Sequence, residues 1–516
     1  MNREDLRHQL AQRFMDPPAN SRPFVRWWWN GNCIEKNEIV RELDLLKRAG
    51  IGGVEINPIA MPPHEGEAPE GFVWLSPKWN ERLAFTLREA NDRGMSTDLI
   101  IGTGWPFGGE FLETHQINQR IAVVKDQVDG PGQLSIDTTS LFARAEIDPG
   151  PLADGPQLVF LRLVPEDISS IGDCIDIMPK HASSDSAFSV DVPPGRHRLH
   201  AGIWYRGTGN VALGTPGGSG PVMDHYNEEV VRMYLERMSS ALEAALPGGM
   251  GRYIRAMFCD SMELAGANWA NDLPQQFEER RGYALTPYLP FVFPPVRASY
   301  EDPPGAADFQ DTVRRVRYDF NRTLLELYTE RFVRQVHEWC HENGTLFRYQ
   351  AYGSPWLMDM PAGYMVPDIP ESNNWLFSGG GPYTHGYWTW NQYAASGGHL
   401  AGRATISTEA MTNTEGVFRT DLSDIKQADD ENFVMGINHS VLHGFNYSPP
   451  EAGFPGWVRF GTYFSERNPW WPYLSHWTEY NARLSSVFQT AEPVGQCAVL
   501  APLADATSDH GLWRKP

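Results

Sequence analysis

The chain has 516 residues, 41% of them apolar and 12% aromatic, with 18 tryptophans and a formal net charge of −21. That length allows one large domain carrying an insertion, or two or three ordinary domains around sizeable cores. The acidic balance argues against nucleic acid and anionic membrane surfaces as partners, because both need basic patches, and favours a neutral or cationic substrate.

The N-terminal MNREDLRHQLAQRF is amphipathic and charged and lacks the apolar core of a signal peptide. The expectation is a cytoplasmic protein, or a periplasmic or secreted one if the natural N-terminus lies further upstream. No apolar run reaches transmembrane length. Five cysteines (Cys33, Cys174, Cys259, Cys340 and Cys497) are scattered without a CxxC pair or zinc spacing, and read as thiols of a reducing compartment.

Eight short apolar runs then alternate with helical patterns: 24–29, 53–57, 97–101, 253–259, 345–350, 365–369, 404–408 and 438–443. Between the first two, Ile39, Leu43 and Leu46 recur at helical spacing and Gly50 supplies the stop. Ser76-Pro77 is a helix start, a capping hydroxyl followed by proline at the first helical position, and Leu83, Leu87 and Ala90 form that helix's inner face before Gly94. Residues 308–343 read as one long helix ending at Gly344. Strand and helix alternating eight times predict an α/β fold, a (β/α)8 barrel of TIM type.

One interval breaks the alternation. Residues 125–205 show no convincing helix and hold alternating runs such as LVFLRLV and HRLHAGIWY, so a small β domain inserted in a barrel loop is expected. The glycine-rich 207–220 reads as a return linker, since it has neither the GxGxxG order nor the lysine of a phosphate loop. After an amphipathic helix beyond residue 475, CAVLAPL reads as the first strand of another unit that stops within about a dozen residues. The expected division is 1–124 and 207–490 for the barrel, 125–206 for the insertion, and 491–516 for an incomplete further domain, the chain being a fragment of a longer protein.

In such a barrel the reactive groups sit at the carboxyl ends of the strands. Reading those ends gives Trp27-Trp28-Trp29-Asn30, Asn57, Trp105, Asp260 with Glu263, Gln350 with Tyr352, Asp368 with Glu371, Glu409, and His443. Acids, amides and aromatics dominate, with no Ser-His-Asp set and no dinucleotide fingerprint, so no organic cofactor is expected. Carboxylates with tryptophan and asparagine suit glycosidic bond cleavage, in which one acid protonates the leaving oxygen and a second carboxylate activates water or attacks the anomeric carbon. The candidate catalytic acids are Glu263, Glu409, Glu371 and Asp260. The candidate sugar contacts are Trp29, Asn30, Asn57, Trp105, Gln350, Tyr352 and His443. Strand alternation sends Trp28 the opposite way from Trp27 and Trp29.

Several strings resemble the α-L-rhamnosidases of glycoside hydrolase family 106: RWWWNGNCIEKNEIVRELDLLKRAGIGGVEI, LSPKWNERLAFTLREANDRGM, DSMELAGANW with FEERRGYALTPYLP, RYQAYGSP with DIPES, STEAMT, and INHSVLHGFNYSP with NPWW. They occur in family order from about residue 20 to 500. The resemblance implies a carbohydrate substrate and inversion of configuration. It implies Glu263 as general acid and Glu409 as general base, with Glu371 sharing or supplanting the latter role and Asp260 as partner acid. It also implies a calcium ion near the sugar hydroxyls, with no ligands assigned, and a longer natural protein carrying further β domains. Glu263 three residues beyond Asp260 suits an inverting pair, which needs about 6.5–9.5 Å between carboxyls against about 5–5.5 Å for retention. Asp260 nearby is expected to raise the pKa of Glu263 by like-charge repulsion. Two other readings stay open, a retaining barrel glycosidase of another sugar specificity and a non-catalytic carbohydrate-binding barrel.

Overall fold

The computed structural model describes residues 3–64, 69–145, 155–179, 187–264, 266–293, 301–353, 359–377, 388–414, 416–495 and 497–510. Among them the strands are β1 (Phe24–Asn30), β2 (Gly53–Ile59), β3 (Ser96–Ile100), β4 (Gln119–Asp137), β5 (Gln157–Pro165), β6 (Ile175–Asp176), β7 (Ala187–Arg206), β8 (Ala256–Cys259), β9 (Leu346–Tyr349), β10 (Ile369–Trp375), β11 (Ser407–Thr412) and β12 (His439–Asn446). Eight of them close into a parallel barrel in the order β1-β12-β11-β10-β9-β8-β3-β2. The other four form an antiparallel sheet ordered β4-β7-β5-β6, inserted between β3 and β8. The fold is therefore the expected α/β barrel carrying a β insertion. No helix among the described residues is long and apolar enough to cross a membrane.

Local sequence explains the outer layer. The helix Lys36–Arg48 buries Ile39, Leu43 and Leu46 along one stripe, the period that an amphipathic helix needs to cover a sheet. Gly50 follows at φ +85°, where an added Cβ would come within 2.3 Å of Thr478 Oγ1, so the turn excludes any side chain. In the helix Pro77–Asp92 the Ser76 hydroxyl accepts from the Trp79 amide at 3.3 Å, and Pro77 opens the first turn.

Three expectations need correction. The sixth strand is Ile369–Trp375, not 365–369, and Met365 ends a short helix, Met360–Met365. The seventh is Ser407–Thr412, not 404–408. Both strands carry polar residues facing a polar barrel interior, so a search for apolar runs slides toward the preceding residues. Glu371 and Glu409 consequently lie inside their strands and not at the ends. Residues 497–502 pair with no strand among the described residues, and a helix, Leu503–His510, follows them. The long helix reads almost as expected, Ala307–Tyr328 and Arg334–Glu342, joined by a wide π turn at Thr329–Val333.

In the insertion β4 and β7 pair along nearly their whole length, from Gln119 opposite Arg206 to Asp137 opposite Ala187. One helix does occur there, Thr138–Arg144, capped by the Asp137 carboxylate on the Thr139 amide at 3.1 Å. Leu161, Leu199, Ala201 and Ile203 form part of the sheet's own core. A second contact seats it on the barrel: Val164 and Ile168 pack with Phe291, Phe309 and Val313, and His200 Nδ1 lies 2.8 Å from the Pro290 carbonyl.

Replacing Ser76 by alanine removes the acceptor for an otherwise unpaired amide and should lower the free energy of unfolding by about 1 kcal/mol. Urea denaturation of the two proteins checks this, and identical midpoints would mean that the cap contributes nothing.

Candidate active site

Every barrel strand, or the residue just after it, delivers an ionisable side chain to one buried cluster. They are Arg26 from β1, Glu55 from β2, Asp98 from β3, Asp260 just after β8, Arg348 from β9, Glu371 from β10, Glu409 from β11 and His443 from β12, all buried. In six strands it is the third residue. Side chains of such barrels are usually branched and apolar. Here two guanidiniums and five carboxyls take that place.

Arg26 is the hub. Its Nε bonds Glu55 Oε1 at 2.6 Å, and its Nη1 meets both Glu409 Oε2 at 2.8 Å and Asp260 Oδ2 at 3.2 Å. Its Nη2 lies 3.8 Å from Glu371 Oε1. Arg348 closes the other side of the lattice: one terminal nitrogen pairs with Glu371, the other with Glu55, and Nε lies 3.2 Å from Asp98 Oδ2. Both guanidiniums also face the ring of Phe258, at 4.6 and 4.3 Å from its centroid. Gln350 ties the acids together, its Nε2 donating at 2.9 Å to both Glu371 Oε1 and Glu409 Oε2. Tyr352 in turn donates to Gln350 Oε1 at 2.7 Å.

These neighbours pull the acids apart. Burial alone would raise the pKa of Glu409, but Arg26, helped by Gln350 and Thr412, holds it down at about 2. Thr412 Oγ1 donates to Glu409 Oε1 at 2.6 Å, and His443 Nε2 lies 3.7 Å from the same oxygen. Burial pushes His443 down to about 4, so near neutral pH it is uncharged and Arg26 is the cation that holds Glu409. Asp260 goes the other way: burial, with Glu409 and Glu55 nearby, pushes it up to about 7 against the pull of Arg26. Burial likewise raises Glu371 despite Arg348. Two adjacent carboxyls thus differ in protonation because only one is fully engaged by the guanidinium.

Glu263 stands outside this lattice. It is exposed on the loop beyond β8, and its Oε2 accepts from Trp105 Nε1 at 3.0 Å. Trp105 follows β3, and its ring centre lies 6.5 Å from that of Phe460, so the two half-buried aromatics form one wall of the mouth.

The expected residues therefore separate. Asp260, Glu371, Glu409, Gln350, Tyr352 and His443 share the lattice, and Asn57 joins it by donating to Glu55 Oε1 at 3.0 Å. Glu371 is wholly buried, with Oε2 taken by Arg348 and Ser407 and Oε1 by Gln350. Asn30 is also wholly buried; its amide clamps the carbonyls of Tyr447 and Trp457. Trp29 does not line the interior. It points outward, edge-on to Trp79 of the helix layer, while Trp28 turns in against His443 and Phe460. The alternation was right and the choice of face was wrong: Arg26 takes the inward position, so only Trp28 shares its side. The acid pushed up beside the mouth is Asp260 itself. Arg26, Glu55, Asp98 and Arg348 escaped the sequence reading, although a lone charge in third place of an apolar run was a usable signal.

The calcium ion expected from the resemblance requires six to eight oxygen ligands. The barrel carboxylates are already occupied by Arg26 and Arg348. Among the described His, Cys, Asp and Glu residues, the one group of three with converging ligand atoms contains two imidazoles. Among the described residues, no group of three carboxylates converges on one point.

A family model described as alpha-L-rhamnosidase, that of glycoside hydrolase family 106, matches residues 15–139 and 164–506. A protein of Formosa agariphila, provisionally named a beta-glucuronidase, is 24% identical over 523 aligned positions, covering 95% of this chain and 42% of the relative. The solved rhamnosidase of Novosphingobium sp. PP1Y has a similar fold, with a TM-score of 0.70 and 19% identity over 94% of this chain and 61% of that one. The chain thus spans about two fifths of the first relative's length and three fifths of the second's.

Arg348→Met leaves the buried Glu371 with Arg26, 3.8 Å away, as its remaining cation, and should cost about 3–5 kcal/mol at neutral pH. In that variant the folded-state pKa of Glu371 stands further above its unfolded value. A group raised in this way stabilises the fold at low pH, and that contribution is lost as pH rises. The deficit against the parent, read by urea denaturation, should therefore be smaller at pH 5 than at pH 8; a pH-independent deficit would show that Arg348 acts through packing alone.

Proposed function

The chain belongs to glycoside hydrolase family 106, the α-L-rhamnosidases, and from that membership we propose that its barrel mouth removes terminal α-L-rhamnosyl residues from glycans or glycosides with inversion. Glu409 is the general base and Glu263 the general acid. The observation that carries this reading is the contrast between them: Glu409 is pinned as an anion by Arg26, Gln350 and Thr412, while Glu263 stands free of the lattice on the loop beyond β8. A pair divided between a strand and a loop suits inversion, in which a water must fit between the two carboxyls. A carboxylate held near pKa 2 is a weak base toward bulk water, but the attacking water turns acidic as its bond to the anomeric carbon forms. Glu371 then serves to position Glu409 through Gln350.

Sugar binding uses the polar atoms that the protein leaves unsatisfied. Asn57 Oδ1, His443 Nδ1 and Trp28 Nε1 are buried without a hydrogen-bond partner among the described residues, and each suits a sugar hydroxyl. The Trp105–Phe460 wall suits the methyl group of a 6-deoxy sugar. A uronic acid, the substrate implied by the name of the Formosa relative, would add another negative charge beside five carboxyls, which supports the neutral sugar.

A second reading has its own observation. Asp260, pushed up to about 7, carries a proton in a large share of molecules near neutral pH and touches the same Arg26 nitrogen as Glu409. Asp260 is then the proton donor and Glu263 a mouth residue that orients Trp105.

Aryl α-L-rhamnosides with good and poor leaving groups separate the two. Glu263→Gln should lose about 100-fold or more on the poor leaving group and little on the good one, whereas Glu409→Gln should fail on both. If Asp260→Asn shows the leaving-group dependence and Glu263→Gln does not, the acid role passes to Asp260. Proton NMR should show β-L-rhamnose as the first product; the α-anomer would sink inversion. Hydrolysis of an aryl β-glucuronide in place of the rhamnoside would overturn the sugar assignment.

A further inference from the structure

At the amino end of the barrel strands, remote from the mouth, three ligand-type side chains converge. His337 and His341 are one turn apart on the helix Arg334–Glu342 and share a face. Asp368 immediately precedes β10, and its Oδ2 accepts from the amide of Phe347, the second residue of β9, at 2.9 Å. His341 Nε2 lies 2.8 Å from Asp368 Oδ2, and His337 Nε2 lies 3.6 Å from Oδ1. The two imidazoles are 4.2 Å apart, centre to centre. All three ligand atoms fall within 4.8 Å of one another, and His337 Nε2 is buried with no hydrogen-bond partner among the described residues.

We propose that His337, His341 and Asp368 bind a divalent transition metal of the zinc type. Nitrogen and oxygen ligands about 2.0–2.1 Å from a tetrahedral ion stand roughly 3.3 Å apart. Each imidazole nitrogen already lies within about 0.5 Å of that separation from one carboxylate oxygen, 2.8 Å from Oδ2 and 3.6 Å from Oδ1. Two imidazoles with one carboxylate select zinc, cobalt, nickel or copper over calcium and magnesium, which prefer oxygen. His341 is half exposed, which gives the ion a way in and leaves a fourth position for water. Arg403 Nη1, 3.7 Å from Asp368 Oδ1, acts as an outer partner that holds the carboxylate, as ligating carboxylates commonly require. The π turn at Thr329–Val333 adds one residue just upstream, which rotates everything after it by about 100° relative to an unbroken helix. Both histidines lie in the rotated part. The ion would tie this helix to the starts of β9 and β10. Its role is structural and does not depend on the sugar chemistry at the other end.

The test uses the full chain after dialysis against chelator. Titration with zinc chloride by calorimetry should give one tight site, zinc should raise Tm, and calcium chloride should do neither. Cobalt should give the visible absorption of a tetrahedral ion. His341→Gln, at a half-exposed position that the fold tolerates, should weaken zinc binding at least tenfold and abolish the cobalt band, with its metal-free Tm unchanged. Failure of the parent to take up zinc would overturn the proposal. Undiminished binding by His341→Gln would also overturn it, by placing the ion on other histidines or on the exposed thiol of Cys497.

Discussion

The arrangement of this protein depends on Arg26 and Arg348, two guanidiniums buried inside a closed barrel and surrounded by carboxyls. Placing a charge there costs several kcal/mol in lost hydration, and only multiple short, well-directed partners offset it. The barrel provides them because its strands bring side chains from all directions toward one axis. Arg26 pairs in register with Glu55 on one side and His443 on the other, and Glu55 pairs with Asp98. Rigidity follows, since a planar five-donor fork permits few orientations of the acids that grip it. Glu409 is therefore held in one orientation by Arg26, Gln350 and Thr412.

The same lattice sets how legible the molecule is in its sequence. Strands β1 and β2 are largely apolar apart from one charge each and stood out as runs. Strands β10 and β11, IPESNNW and STEAMT, are mostly polar because they face the lattice, and the reading slid toward their starts. Asp260, Glu371, Gln350, Glu409 and His443 were legible because they fall at or just after the ends of the apolar runs, even though Glu371 and Glu409 lie inside their strands. Arg26 and Arg348 were not, since an arginine within an apolar strand makes sense only when its partners on distant strands are known. Trp29 shows the same limit. Period two fixes which tryptophans share a side, but only the fold says which side is inside.

The two ends of the barrel differ in chemistry. At the carboxyl ends Trp105, Phe460 and Glu263 form a partly open, aromatic and acidic rim. At the amino ends His337, His341, Asp368 and Arg403 form a compact polar cluster that joins a helix to two strands. Between them lie the buried ion pairs around the Phe258 ring, and each end has contacts of its own. At the mouth Asn30 clamps the carbonyls of Tyr447 and Trp457, and Glu42 nearby accepts from Trp27 Nε1 and the Ser448 amide.

The inserted sheet leaves and re-enters the barrel side by side, Gln119 opposite Arg206. Such a two-stranded stalk can grow or shrink by pairs of residues in each arm, about 7 Å at a time, without turning either face over. Relatives could therefore carry heads of different size and reach on the same stem while the ring of strands beneath stays untouched. The footing of Val164 and Ile168 on Phe291 and Phe309 would have to be kept, since a head without it would bare two phenylalanines to water.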